Sequence, residues 1–317
     1  MKLTWNKRRL DLEHPWTLAR GTSKFKEYWF VELEEDGLVG HGEAAHNERY
    51  GESLESVEAC FRRGGEVGPA AALAAIDIAK HDLAGKRRGV RVGELFGIGR
   101  CESLPTSYSI GIDSAEDVRS KVSQADEFRI LKIKLGGEDD KAAMAAVREV
   151  TDKRVWVDAN EGWQTREQAL ERIEWLAGLG VELVEQPLPA GRLDDMAWLK
   201  ERSPLVLVAD EDASGQADLR ALVDGFHGIN VKLMKAGGIA PAHSMIEEAK
   251  GLDLKVMLGC MIESSLGISA ALHLAPLADW IDLDGHLLID NDPYEGISVC
   301  DGCLSLADRP GLGVTMR

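Results

Sequence analysis

Short apolar runs recur along the middle of the chain at a nearly constant interval, and a charged residue follows each of them. These charged residues are Lys134, Asp158, Glu185, Asp210 and Lys232, which lie 24, 27, 25 and 22 residues apart. Such an interval accommodates one strand, one helix and two short loops. The pattern therefore predicts consecutive parallel strands that present three carboxylates, flanked by two lysines, at matching ends.

Eight strand-like segments can be recognised, at 106–112, 130–135, 155–160, 181–186, 205–211, 229–233, 255–259 and 280–284. Helical patterns lie between most of them. One begins at Thr165, with Gln168 placed as in a capping box, and Pro241 suits the first turn of another. Nearly continuous apolar strands that alternate with helices are typical of a parallel sheet covered on both faces. Eight of them favour a closed barrel, which we expect over residues 104–290, with its chemistry at the carboxyl ends of the strands.

The first 103 residues follow a different pattern. Strand-like stretches at 29–34 and 39–44 flank a turn, and helical patterns follow over 53–63 and 70–84. We expect an α+β unit at 1–103, completed by the tail at 291–317, which would pack back onto it. The predicted fold class is thus α/β, a barrel with an N-terminal α+β domain.

Composition narrows the class of protein without naming a reaction. Among 317 residues, 44% are hydrophobic and 29% charged, as in an ordinary globular protein, and no apolar run reaches the roughly 18 residues of a membrane helix. A net charge of −17 argues against a nucleic-acid partner. The N-terminal residues lack the apolar stretch of a signal peptide, so we expect a cytoplasmic location. The lone CxxC formed by Cys300 and Cys303 is interpreted as two reduced thiols.

The charged residues call for a metal ion. Lys132 and Lys134 are two positions apart on a strand, so both point to the same face. Lysines directed into a barrel must be neutralised by carboxylates or lose their protons. Three neighbouring carboxylates repel one another, and their oxygen atoms suit a hard divalent cation such as Mg²⁺.

The order of motifs on successive strands carries a resemblance. Lys-x-Lys, Asp-x-Asn, Glu-Gln-Pro, Asp-Glu and Lys, starting at Lys132, resemble the enolase superfamily, and specifically its muconate-lactonizing subgroup. The segment 75–86 looks like part of the family's capping domain, and residues from about 105 to 290 look like its (β/α)₇β barrel. The resemblance covers most of the chain.

The resemblance implies roles for the charged residues. Asp158, Glu185 and Asp210 would bind one Mg²⁺ per subunit, and Lys134 and Lys232 would be the two acid/base groups, with Lys132 beside the first. Lys235 competes with Lys232 for the second role, but the spacing to the following Gly-Gly pair favours Lys232. Lysines on opposite strands would remove and return a proton α to a carboxylate through an enediolate, which inverts the stereocentre.

Further positions narrow the reaction. Asp282 and Asp284 resemble the Asp-x-Asp with which the family's dipeptide epimerases bind the substrate's α-ammonium group. Two unpaired acids facing inward would also be costly unless they met a cation. Arg20 resembles an arginine that pairs with a glutamate side chain in L-Ala-D/L-Glu epimerases, and Glu263 is a candidate to position substrate. The leading hypothesis is a Mg²⁺-dependent dipeptide epimerase acting on L-Ala-D/L-Glu from murein peptides. The resemblance also allows a homo-oligomer.

Three alternatives remain open from the sequence. An o-succinylbenzoate synthase, N-acyl amino acid racemase or muconate cycloisomerase shares the metal and the lysines but has no need of the Asp pair. A Schiff-base aldolase would form a covalent adduct on a lysine. A non-catalytic scaffold would have little reason to retain the metal-binding set.

Overall fold

The structure, a computed structural model, describes residues 1–18, 21–100, 103–137, 139–215 and 217–317. An antiparallel sheet opens the chain, in the order β1 (Lys2–Leu18), β2 (Gly21–Glu35) and β3 (Leu38–Ala44). Three helices follow, α1 (Leu54–Arg62), α2 (Ala70–Arg88) and the single turn α3 (Val92–Leu95), and then the short strand β4 (Leu104–Pro105).

The first long helices form where the sequence predicts them. Ser53 begins α1 as its N-cap: its hydroxyl accepts from the Ser56 amide, and its own amide donates to the Ser56 hydroxyl. Helix α2 runs four residues beyond the predicted end, and Gly89, at φ 68°, stops it in the left-handed conformation. The face of α2 that carries Ala71, Ala75 and Ala79 is fully buried and lies close against β3. A Cβ on Gly42 would lie 1.9 Å from the carbonyl oxygen of Ala75. Only glycine allows so close an approach.

Eight parallel strands form the central sheet in sequential order. They are β5 (Ser107–Ile110), β6 (Ile130–Lys134), β7 (Arg154–Asp158), β8 (Val181–Glu185), β9 (Val206–Ala209), β10 (Gly228–Lys232), β11 (Lys255–Gly259) and β12 (Trp280–Asp282). The helices outside them are α4 (Ala115–Gln124), α5 (Asp140–Val150), α6 (Arg166–Gly178), α7 (Leu193–Lys200), α8 (Leu233–Ala236), α9 (Ile239–Gly251) and α10 (Ser265–Leu272). The predicted α/β barrel is confirmed, and each predicted strand is found.

One connection departs from strand–helix alternation. Between β9 and β10 the described residues form only the 3₁₀ helix Leu219–Leu222. Other 3₁₀ turns cover Glu48–Tyr50, Ala275–Leu277 and Gly285–Leu288. In α6, the Thr165 hydroxyl accepts from the Gln168 amide as predicted, but the Gln168 side chain bonds the amide of Gln164 rather than that of Thr165. The capping box is therefore only half formed.

Side-chain hydrogen bonds join the first and last strands of the barrel. The Ser107 hydroxyl donates to Asp282 Oδ1 (2.5 Å), and the Leu283 amide donates to the Thr106 hydroxyl (2.9 Å). The Ser109 amide donates to Asp284 Oδ2 (2.6 Å). Polar groups in and beside β5 and β12 therefore close the seam.

The interior of the barrel is apolar towards the amino-terminal ends of its strands and charged towards their carboxyl ends. A separate apolar cluster made of Ile130, Trp156, Leu183, Val208 and Met257 fills its amino-terminal end. Because side chains on a strand alternate, the residues two positions further along also point inward. Those next positions are Lys132, Asp158, Glu185, Asp210 and Gly259. The apolar layer thus seals the floor beneath a layer of buried charges.

The tail forms short strands that contact the N-terminal unit. They are β13 (Tyr294–Glu295), β14 (Ile297–Cys300), β15 (Cys303–Leu306) and β16 (Thr315–Met316), and β15 also pairs with β4. Tyr294 stacks on Phe30 of β2, with ring centroids 5.9 Å apart. The buried Asp82 of α2 accepts the amide of Leu312 at 2.9 Å. The proposed division at residues 103 and 290 stays a prediction. None of the described helices is both long enough and apolar enough to cross a membrane.

Candidate active site

Three buried carboxylates meet at the carboxyl ends of neighbouring strands. Asp158 ends β7, Glu185 ends β8, and Asp210 follows β9 directly. One oxygen from each lies within 4.8 Å of the others, and all three side chains are almost completely buried. The interval pattern in the sequence thus corresponds to a real cluster.

A polar residue shortly after each of the first two acids helps to hold the cluster in place. Asn160 donates to Asp158 through its backbone amide (2.9 Å) and its side chain (3.1 Å). Asn160 has φ 45°, a left-handed conformation that asparagine tolerates better than most residues. Gln186 accepts the Asp210 amide at 3.0 Å and so links the ends of β8 and β9. These contacts give the Asp-x-Asn and Glu-Gln motifs a local structural reason.

The donor set fits a divalent cation. Burial and the charge of Asp158 raise the pKa of Glu185, so this cluster of acids is electrostatically costly without a counter-charge. The Lys132 ammonium lies 2.5 Å from Glu185 Oε2 and supplies part of that counter-charge. Three carboxylates whose oxygens converge within 4.8 Å suit a hard cation bound through oxygen.

Two lysines flank the carboxylates from opposite sides. Lys134 Nζ lies 2.6 Å from Asp158 Oδ2, and Lys232 Nζ lies 2.9 Å from Asp210 Oδ2. Lys134 ends β6 and Lys232 ends β10, which is four strands away in an eight-stranded barrel. Both side chains line the same cavity. A molecule bound between them would therefore meet one ammonium or amine group on each side.

Two further lysines are buried behind the first pair. Lys132 is fully buried, and its ammonium contacts Glu185 and Asp282, the latter at 2.6 Å. Lys235 bonds the carboxylate and carbonyl of Asp210 and the carbonyl of Asn230. Neither is among the described residues that line the cavity. Of the two candidates for the second acid/base position, Lys232 faces the cavity and Lys235 anchors Asp210 from behind.

The two acids Asp282 and Asp284 have different hydrogen-bond partners. Asp282 ends β12 and is not unpaired, because Lys132 and Ser107 occupy its two oxygens at 2.6 and 2.5 Å. Asp284 lies two residues beyond the strand and accepts the Ser109 amide through Oδ2. Burial and the neighbouring Asp282 raise the pKa of Asp284 to about 6. Asp282 therefore already meets a cation within the protein, and the binding of substrate by the two acids stays a prediction. Both nevertheless line the cavity.

Two other predicted roles stay predictions. Arg20 lies outside the described residues. Glu263 is buried in the loop after β11, where its carboxylate accepts the Met261 amide at 2.8 Å. Burial and the nearby Glu43 raise its pKa to about 8. Glu263 is absent from the described lining of the cavity, so its role in positioning substrate stays a prediction.

The cavity has a volume of about 530 Å³ and lies between the barrel mouth and the N-terminal unit. The N-terminal side contributes Lys26 and Tyr28 from β2 together with the loop residues His46, Asn47 and Glu48. Lys26 donates to the Ser23 hydroxyl at 3.2 Å, and burial lowers its pKa while the charge of Glu48 opposes that effect. The sequence analysis missed Lys26. Alternation along β2 places it on the same face as the buried Tyr28, and this pattern could have identified it.

The chain matches known proteins over most of its length. Residues 113–317 match the family described as "Enolase C-terminal domain-like". The chain is 42% identical to the L-Ala-D/L-amino acid epimerase of Pedosphaera parvula, covering 97% of each protein. It is 40% identical to the L-Ala-D/L-Glu epimerase of Bacteroides thetaiotaomicron, covering 99% of this chain and 88% of that protein.

A solved structure shares both the fold and the domain arrangement. The dipeptide epimerase of Methylococcus capsulatus, complexed with Mg and the dipeptide L-Arg-D-Lys, superposes with a TM-score of 0.90 at 32% identity. The match covers 99% of this chain and 99% of that chain. The three similar proteins thus carry different substrate names.

Proposed function

This chain belongs to the enolase superfamily, among its dipeptide epimerases, and we propose that it inverts the α-carbon of the C-terminal residue of acidic dipeptides, with L-Ala-D/L-Glu as the preferred pair. One observation carries the proposal. A triad of buried carboxylates lies between two lysines from opposite strands, and both lysines face one cavity. Dipeptide epimerases are isomerases, so the net reaction moves a proton without redox change.

Asp158, Glu185 and Asp210 would hold one Mg²⁺ per subunit. The bound ion would offset the negative charge that develops on the substrate carboxylate as its α-proton leaves. The chain's own residues prepare this position, because Asn160 orients Asp158 and Asn230 donates to Glu185 at 2.8 Å. The apolar layer beneath the charges keeps water out from below.

Lys134 and Lys232 would perform the two proton transfers. Their positions on β6 and β10 allow one amine to remove the α-proton from one face while the opposite ammonium delivers a proton to the other. Which lysine begins as the base depends on which stereoisomer binds. The ion pairs with Asp158 and Asp210 keep each Nζ at the cavity wall.

The last strand would bind the substrate's ammonium group. Lys132 already neutralises Asp282, whereas the carboxylate of Asp284 receives one backbone amide and faces the cavity. Asp284 is therefore the better partner for an incoming cation. The raised pKa of Asp284 has the same physical cause, since a buried negative charge beside Asp282 is stabilised by a cation.

Lys26 supports an acidic C-terminal side chain. It is the cationic side chain that the described part of β2 presents to the cavity, and its described hydrogen bond is to a neutral hydroxyl. A carboxylate brought into this position would gain a charge-assisted hydrogen bond. The proposed pairing of Arg20 with the same carboxylate, the murein origin of the dipeptide, the cytoplasmic location and the assembly state remain predictions.

The first experiment is proton exchange in D₂O. The protein with Mg²⁺ is incubated with L-Ala-L-Glu, L-Ala-L-Gln, L-Ala-L-Lys and N-succinyl-L-Glu, and mass spectrometry measures deuterium at the α-carbon. We expect exchange with L-Ala-L-Glu to be the fastest. Exchange with N-succinyl-L-Glu alone would reject the dipeptide assignment in favour of an N-acyl amino acid racemase.

The specificity is tested by Lys26→Met. Losing one charge-assisted hydrogen bond should lower kcat/KM for L-Ala-L-Glu about 10- to 100-fold, and the value for L-Ala-L-Gln should hardly change. Glu48→Gln is the matched control. It removes the neighbouring charge of opposite sign and should not weaken the binding of acidic dipeptides. Equal losses on both dipeptides in Lys26→Met would contradict the assignment.

A further inference from the structure

A bidentate ion pair joins the N-terminal unit to the barrel above the carboxylate cluster. Arg49 Nε lies 2.8 Å from Glu161 Oε2, and Arg49 Nη2 lies 2.7 Å from Glu161 Oε1. The Arg49 side chain is 37% exposed and that of Glu161 only 12%, so the pair lies at the edge of solvent. The hydrogen bonds that Arg49 donates to the Glu161 carboxylate raise the pKa of Arg49.

Glu161 links segments that carry two of the proposed metal ligands. It lies three residues after Asp158, and at φ 66° it adopts the left-handed conformation that a non-glycine residue rarely takes. Its Oε1 also accepts the amide of Ala190, in the loop that follows Glu185 and β8. One carboxylate therefore fastens three segments, namely the loop from the N-terminal unit and the loops after β7 and β8.

The loop that carries Arg49 is anchored at its base. Glu52 accepts the Asn47 amide through one oxygen and the Ala71 amide of α2 through the other, both at 3.1 Å. Asn47 in turn accepts the Arg49 amide at 3.0 Å. Segment 47–52, which we call the rim loop, is therefore internally tied and attached to α2. On the side that faces the barrel, the described contacts of the rim loop include the Arg49–Glu161 pair. The side-chain nitrogen of Asn47, Nδ2, also lies 3.7 Å from Met261 Sδ.

The rim loop also forms part of the cavity wall. Asn47, Glu48 and Tyr50 line the cavity, whereas Arg49 is not among the described lining residues. Arg49 therefore does not touch the space that a substrate would occupy. It acts on that space through the position of its neighbours.

We propose that the Arg49–Glu161 ion pair is a latch that holds the rim loop over the substrate cavity and that both residues are positioning residues for substrate binding. The proposal rests on the proposed function for its kinetic consequence. When the latch is closed, the cavity wall formed by residues 47–50 is complete. When it is open, the loop can move away from the barrel, and substrate loses the contacts that this wall supplies.

The barrel provides a matched control pair. Arg154 and Glu182 form a second bidentate pair at 2.7 and 2.9 Å, which joins β7 to β8 at the amino-terminal end of the strands, away from the cavity. Arg49→Met and Glu161→Gln are compared with Arg154→Met and Glu182→Gln. The same chemistry is thereby removed at the two ends of one barrel.

The kinetic test uses epimerisation of L-Ala-L-Glu by the full chain with Mg²⁺. Each latch variant should raise KM about five- to tenfold with kcat changed less than twofold, because a contact made equally in the ground and transition states is lost. The double variant should be no worse than either single variant, since the two residues act as one pair. The control variants should leave KM within twofold of the original protein.

Hydrogen–deuterium exchange of peptides spanning 47–52 provides a readout independent of turnover. Exchange should accelerate in both latch variants and in neither control variant. The hydrogen–deuterium exchange measurement also distinguishes failure of the latch from failure of the proposed function. If the protein epimerises no dipeptide, the proposed function fails, but the exchange rates still decide whether the pair holds the loop.

Two outcomes would overturn the latch. Unchanged exchange and unchanged KM in Arg49→Met would mean that the rim loop stays in place without the pair. A raised KM in Arg49→Met together with an unchanged KM in Glu161→Gln would mean that Arg49 contacts substrate directly. The charge-swapped double variant, Arg49→Glu with Glu161→Arg, should recover part of the lost affinity if the pair itself is responsible.

Discussion

Single residues at the site are arranged so that nearly every charge has a counter-charge. Lys132, Lys134, Lys232 and Lys235 contact the carboxylates of Asp158, Glu185, Asp210 and Asp282. The four positive and four negative charges balance, and Asp284 adds a fifth carboxylate whose pKa is raised to about 6. Such a balance allows so many ionisable groups to be buried together. It also means that each lysine has a structural role as well as a possible chemical one.

The two lysines around Asp210 should separate these roles. Lys232→Met is expected to reduce α-proton exchange by about 10²- to 10⁴-fold, the usual contribution of an acid/base group, while Mg²⁺ still binds. Lys235→Met should instead weaken Mg²⁺ binding and thermal stability, because it removes the anchor behind Asp210. Exchange kinetics and calorimetric Mg²⁺ titration would measure both. The reverse result would assign the acid/base role to Lys235.

Glu263 gives a pH-dependent stability with a definite sign. Its pKa is about 8 in the folded protein and about 4.5 when unperturbed. The folded state therefore holds this proton more tightly, and stability falls as pH rises from about 4.5 to 8. Glu263→Gln should raise the free energy of unfolding at pH 8.5 by about 1–3 kcal/mol and change it little at pH 5. Denaturant unfolding at both pH values measures this.

Glu43 provides the comparison for Glu263. It too is fully buried, with its pKa raised to about 7 by burial, but it accepts bonds from the Ser264 amide and hydroxyl and from the Gly267 amide. These donors stabilise the carboxylate and offset part of the cost of burying it, so Glu43→Gln should raise the free energy of unfolding at pH 8.5 less than Glu263→Gln does. A larger stabilisation by Glu43→Gln than by Glu263→Gln would contradict this distinction.

At the level of elements, a helix of the N-terminal unit completes a helix of the barrel. Helix α9 begins after Gly238, which has no side chain to cap it and lies at φ 131°. Asp77 of α2 supplies the missing acceptor, with Oδ2 at 2.6 Å from the Ile239 amide and 3.3 Å from the Ala240 amide. A Cβ on Gly238 would overlap Asp77, so glycine is needed for the contact. The two units are thus joined just after the strand that carries Lys232.

Asp77→Ala should therefore affect both stability and turnover. Loss of an N-cap acceptor costs about 1–2 kcal/mol, and we expect a several-fold lower kcat because α8 and Lys232 directly precede α9. Asp77→Asn keeps an acceptor and is the matched control with a smaller effect. Thermal unfolding and steady-state kinetics test this. A fall in melting temperature with unchanged kcat would limit Asp77 to a structural role.

The elements differ in how far the sequence predicts them. Strands β6 to β10 are short apolar runs ended by a charge, so local pattern alone fixes their positions to within one or two residues. The 3₁₀ turn before β10 and the end of β12 at Asp282 depend on neighbouring segments and were not predicted. Lys132 reaches Asp282 across 150 positions of sequence, and Arg49 reaches Glu161 across 112. Pattern within a segment carries no information about such partners, which is why the latch and the pairing of Asp282 emerge only from the structure.

At the scale of the whole molecule, the proposed metal should act as a stabilising ligand. Saturation at 100 times the dissociation constant would add about 2.7 kcal/mol to the free energy of unfolding. We expect the melting temperature to rise with Mg²⁺ and to fall again with EDTA. Glu185→Gln should remove this response without lowering the melting temperature in EDTA, because it relieves repulsion from Asp158. A Mg²⁺ response that persists in Glu185→Gln would argue against the triad as the site.

The hydrogen bond from the Leu312 amide to Asp82 can form only after the C-terminal tail has been synthesised. Asp82 is buried in α2, and the amide that one of its oxygens accepts lies 230 residues later in the chain. Translation at about 5–20 residues per second needs about 10 to 50 s to cover that distance. During that time the N-terminal unit has been synthesised but lacks its last strands. Its small-residue helix and sheet must wait, with one face uncovered, for the tail to arrive. This interval is when a nascent chain would most need a chaperone.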